Sequence, residues 1–113
     1  MSKYMQIDIR LLPFYEKGFK GHFPKLAKAM ENSGHFDSGD PEPSLYNVVD
    51  VLRRMNLDPQ VPSPVKQRLM PSLEKLVSLK DVAREALLAR KLNDLDQLLY
   101  KVEDEFEDLE KTL

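Results

Sequence analysis

The chain has 113 residues, 42% hydrophobic and 32% charged, the proportions of one folded domain rather than of a disordered segment. Its 17 basic and 19 acidic residues leave a net charge of −2, unlike the basic balance of proteins that coat nucleic acid. The absence of cysteine excludes disulfides, thiol catalysis and Cys-ligated zinc, and no apolar run is long enough for a transmembrane helix.

Residues 4–17 read as a first helix, with Ile7, Leu11, Phe14 and Tyr15 on one face and Pro13 as the obstacle. Asp8 and Arg10 interrupt the apolar residues there, so no signal-peptide core is expected. An intracellular, cytoplasmic protein is the expectation, without a membrane partner. Gly18 and Gly21 permit a turn. Residues 22–32 are a second helical candidate with Phe23, Leu26, Ala27 and Met30 on one face, stopped by Asn32, Ser33 and Gly34.

Residues 37–43 are a loop, dense in Asp, Gly, Ser and Pro. A helix over 44–56 follows from Ser44 as N-cap and from Leu45, Val48, Val49, Leu52 and Met55 at helical spacing. Residues 57–64 form a Pro-rich connection. Ser63 then suits an N-cap and Pro64 a first helical position, with Pro71 expected to kink or restart the helix.

Residues 72–113 contain neither Gly nor Pro, which leaves them free to be helical. Leu88, Leu92, Leu95, Leu99, Val102, Phe106, Leu109 and Leu113 repeat as an unbroken heptad. Upstream, Leu69, Leu73, Leu76, Ala83 and Leu87 keep a similar spacing one residue out of phase. The slip at Leu87 and Leu88 means either one long C-terminal helix whose apolar stripe rotates or a break near residues 91–94; Asn93 and Asp94 as candidate N-caps favour the break, and so a helical hairpin over 64–113. Net charge supports this: +3 over residues 1–36, −3 over 37–60, +4 over 61–91 and −6 over 92–113. A basic arm and an acidic arm would attract each other. The fold class is therefore all-α, with four or five helices in one bundle-like domain over 1–113 whose aromatic-rich first third is residues 1–36.

Chemistry-bearing motifs are sparse. His22 and His35 could form a metal pair completed by Asp37 or Asp40, and Glu31 and His35 stand at i, i+4, but no His-Glu-x-x-His arrangement is present. No serine sits in a nucleophile elbow, and no phosphate-binding glycine loop is present. No catalytic residue, metal or cofactor is expected, and the chain reads as a non-enzyme. The expected function is a helical protein-interaction subunit that forms a homodimer or holds a protein partner. Its seam is Leu92, Leu95, Leu99, Val102, Phe106 and Leu109, with Glu103, Glu107 and Asp108 as electrostatic selectors. The alternative is a small subunit of a nucleic-acid-binding assembly. It would use Lys17, Lys20, Lys25, Lys28, Lys80, Arg84 and Lys91 on phosphates, with Phe19 and Phe23 interleaved among the first four.

Overall fold

The computed structural model describes residue 4, residues 11–37 and residues 39–113. Five helices follow in order: α1 (Phe19–His22), α2 (Pro24–Asn32), α3 (Leu45–Leu57), α4 (Ser63–Leu88) and α5 (Leu92–Thr112). Among the described residues there is no strand, and the architecture is an all-α bundle closed by the long α4–α5 hairpin.

The helix expected over 4–17 is not observed across residues 11–17, and residues 5–10 lie outside the described residues. Residues 11–17 are irregular chain ending in a turn, and Ile7 lies outside the described residues. Pro13 is the physical reason: it lacks an N–H and drives Leu12 out of helical geometry. Phe14 is consequently 91% exposed instead of facing a core. Tyr15 does turn inward, where its hydroxyl donates to the carbonyl of Pro43. Burial there, beside the Glu42 and Glu103 carboxylates, pushes the phenol above its ordinary range.

Three helix ends show how local chemistry sets the boundaries. Ser44 caps α3 as expected, its hydroxyl accepting from the Asn47 N–H at 3.2 Å. α2 ends in a Schellman motif. Gly34 has φ of 76°, its N–H donates to Glu31, and the His35 N–H donates to Met30. α4 ends the same way, except that Arg90 takes the left-handed position with φ of 58°. There the N–H groups of Arg90 and Lys91 donate to the carbonyls of Leu87 and Ala86.

A side chain in that conformation crowds its own carbonyl, which glycine avoids. Arg90→Gly is therefore expected to stabilise the fold by about 0.5–1 kcal/mol, net of the extra freedom of the unfolded chain. Urea unfolding followed by circular dichroism would show a raised midpoint at unchanged slope.

Two expected caps are displaced. α4 begins at Ser63, with Pro62 as N-cap and no side-chain cap, so Ser63 and Pro64 are its first two helical residues. α5 takes Lys91 as N-cap rather than Asn93 or Asp94, and Asp94 instead lies in the first turn, where the helix dipole favours it. Pro71 does not restart α4, which runs through it. Pro71 and Gln67 are both exposed, so the Gln67 carbonyl that loses its donor is left to water rather than to the core.

The core collects Phe19, Leu26 and Met30 from the first helices, Leu52 and Met55 from α3, Leu69 and Leu76 from α4, and Phe106 and Leu109 from α5. Each is at most 1% exposed, which is worth about 1.5–3 kcal/mol apiece against an exposed side chain. An aromatic chain runs through it. Phe19 meets Tyr15, Phe23 and Phe36, and Phe23 meets Phe106 edge-on at 6.2 Å between centroids. A second, smaller cluster lies in the distal half of the hairpin: Ala83, Ala86 and Leu95, with Leu11, Tyr46, Leu87, Leu98 and Leu99 around them.

Candidate interaction surfaces

The hairpin decides what is available to a partner. α4 and α5 share the most extensive helix–helix contact in the molecule, and α3 packs on α4. Leu95, Val102, Phe106 and Leu109 are all buried in the chain's own core, and Leu99 is half-buried. In this fold Leu95, Val102, Phe106 and Leu109 face the chain's own helices, and of these five only Leu99 keeps some exposed surface. The reason is the connection at residues 89–91: it is short and tightly bonded, so α5 returns along α4 and spends the heptad on its neighbour.

The top of the heptad is different. Leu88 and Leu92 are 73% and 56% exposed. They stand on either side of the hairpin turn, four residues apart, and no other described helix covers them. Charges of both signs surround them: Arg90 and Lys91 in the turn, Asp94 in the first turn of α5 and Asp96 just beyond it, all exposed. α4 alone is about 39 Å long at 1.5 Å per residue, and the molecule measures 51 × 29 × 27 Å, so the hairpin sets its long axis.

Lys80 anchors the hairpin laterally. Its ammonium lies 2.7 Å from the Asp50 carboxylate and 4.4 Å from the centroid of the Tyr46 ring, tying α4 to α3.

The acidic side of α5 carries Glu103, Glu107 and Asp108, all exposed. Partial burial, and then the neighbouring Glu107, Asp104 and Asp96 carboxylates, raise the Glu103 carboxyl above the usual carboxylate range. Glu103 also borders a cleft of about 280 Å³ beside Tyr15, Tyr46 and Leu99. Glu110 departs from the pattern. Its carboxylate accepts from the backbone N–H groups of Lys25 at 2.8 Å and Leu26 at 2.9 Å, so α5 caps the N-terminus of α2. Phe23 and Pro24 cannot supply a side-chain cap there. No sequence signal locates this contact, because the partners are more than 80 residues apart.

The expected phosphate-contacting residues are not gathered in one place, although Lys25 and Lys28 share a groove. Lys20 pairs with Glu31 at 2.6 Å, and Lys80 pairs with Asp50. Lys17, Lys25, Lys28, Arg84 and Lys91 are exposed and, among the described residues, unpaired. Phe19 and Phe23, at 1% and 6% exposure, belong to the core and provide no stacking platform.

The histidines are separated. α2 ends at Asn32, so Glu31 and His35 do not share a helical face. His35 instead meets Asp58 at 2.8 Å, while His22 accepts from the Lys17 N–H at 3.3 Å. The Gln60 N–H and His35 hold the Asp58 carboxyl below its ordinary range. No group of three or more His, Asp or Glu among the described residues is placed to hold a metal ion. No described helix is long and apolar enough to cross a membrane.

The chain matches no family model, and neither a curated protein nor a solved structure matches it.

Proposed function

We propose that the chain is a non-catalytic protein-interaction module that self-associates through the end of its α4–α5 hairpin. The observation that carries this reading is the pair Leu88 and Leu92, large apolar side chains left exposed on either side of the hairpin turn. Two such pairs related by a two-fold axis cover each other. Arg90 and Lys91 of one copy then meet Asp94 and Asp96 of the other, which makes the patch complementary to itself. The buried heptad residues hold each hairpin rigid, so association needs no unfolding.

Light scattering behind size exclusion tests this. The wild-type chain is expected at twice its mass of 13.1 kDa. Leu88→Asp combined with Leu92→Asp is expected at 13.1 kDa with an unchanged far-ultraviolet spectrum, because both side chains are exposed in the single chain. A wild-type mass of 13.1 kDa at every concentration would end the self-association reading.

A further inference from the structure

The opposite end of α4 borders a second surface with different chemistry. A groove of about 550 Å³ lies between α2, the α3–α4 connection and the first turns of α4. Lys25 and Lys28 line it from α2 and Arg68 from α4, Val61 and Val65 supply apolar wall, and Leu113 at the end of α5 closes one side. None of the three cations has an ion-pair partner among the described residues.

The carboxylates that hydrogen-bond to residues bordering this groove are already committed. Glu110 binds the backbone of Lys25 and Leu26, and Asp58 binds His35 and the Gln60 N–H. The groove is thus a cationic surface in a chain of net charge −2. Its position is set by two different helices, not by a run of basic residues. Val61 is 4% exposed, so the apolar wall belongs to the rigid core and is not a loose loop.

We infer that this groove binds an acidic peptide segment, with carboxylates on Lys25, Lys28 and Arg68 and one apolar side chain against Val61 and Val65. Charge complementarity selects acidic residues. The apolar wall adds a contact that a bare polyanion cannot use. A small inorganic anion fits poorly, since all three cations are exposed and would hold it through water. Single-stranded nucleic acid fits poorly because no aromatic ring lines the groove for a base to stack on.

The site is about 30 Å along α4 from Leu88, at 1.5 Å per residue, so it does not depend on the hairpin end.

Fluorescence anisotropy on the full chain tests the inference. The probe is a labelled peptide of glutamates and aspartates around one leucine. Wild-type protein is expected to bind it, more weakly as salt rises, and to bind a version with serine for leucine less well. Lys28→Glu with Arg68→Glu is expected to weaken binding at least about tenfold. Both residues are exposed, so the fold is kept, and Lys25 is left in place because its N–H donates to the Glu110 carboxylate, which a new carboxylate at that position would repel. Lys101→Glu, outside the groove, is expected to change binding little. The same series on the Leu88→Asp, Leu92→Asp background separates this site from self-association. Absence of binding at low salt, binding that survives the double reversal, or an oligonucleotide bound as tightly as the peptide would each overturn it.

Discussion

Phe106→Ala is expected to lower the unfolding free energy by about 3–5 kcal/mol. Phe106 is 0% exposed and sits where α5 crosses the first helices, with its ring edge-on to Phe23. Truncation removes a whole aromatic contact, and the walls are helices pinned by the hairpin turn and by the Glu110 cap, so they cannot collapse fully into the space. A domain of this size has only about 5–15 kcal/mol to lose. The variant should therefore unfold at markedly lower urea, and its near-ultraviolet aromatic signal should weaken even without denaturant. Leu92→Ala is the contrast. It lies on the same heptad stripe but is 56% exposed, and should cost well under about 1 kcal/mol in the single chain. Equal losses at the two positions would mean that the heptad is buried evenly, against the hairpin described here.

Glu110→Ala is expected to destabilise by about 2 kcal/mol, the upper end for a helix cap, because a charged group there satisfies two N–H donors at once. The distances, 2.8 and 2.9 Å, are those of charge-assisted bonds. Glu110→Gln keeps an acceptor without the charge and should lose about half as much. Asp108→Ala, on the exposed face of α5 two residues away, should stay within about 0.5 kcal/mol of wild type. Hydrogen exchange gives a local reading of the same event: the Lys25 and Leu26 amides should lose protection in Glu110→Ala before the core does. If Glu110→Ala and Asp108→Ala behave alike, the cap is not holding α2 to α5.

Local chemistry carried much of the architecture. The fold class, the α3 cap at Ser44, the stop of α2 at Gly34 and the break between α4 and α5 all follow from nearest neighbours in the chain. The hairpin break was legible from the phase slip at Leu87 and Leu88, although no glycine marks it, because Arg90 takes the left-handed position. The helix expected over 4–17 fails across residues 11–17 for an equally local reason: Pro13 prevails there over the apolar spacing.

The candidate surfaces were less legible. Spacing alone treats Leu88, Leu92, Phe106 and Leu109 as equivalent, since a heptad repeats without regard to what lies opposite. Only the packed molecule separates them, because α1 to α3 cover the far end of the hairpin and leave its turn bare. The same holds for charge. In the sequence Lys20, Lys25 and Lys28 are one basic group, but folding pairs Lys20 with Glu31 and carries Lys25 and Lys28 to Arg68. Neighbouring residues fix the cap of α3, the stop of α2 and the apolar stripe of each long helix, because those depend on contacts within a few residues. Tertiary structure alone decided which apolar and charged residues remain at the surface, because that depends on which distant helix arrives to cover them.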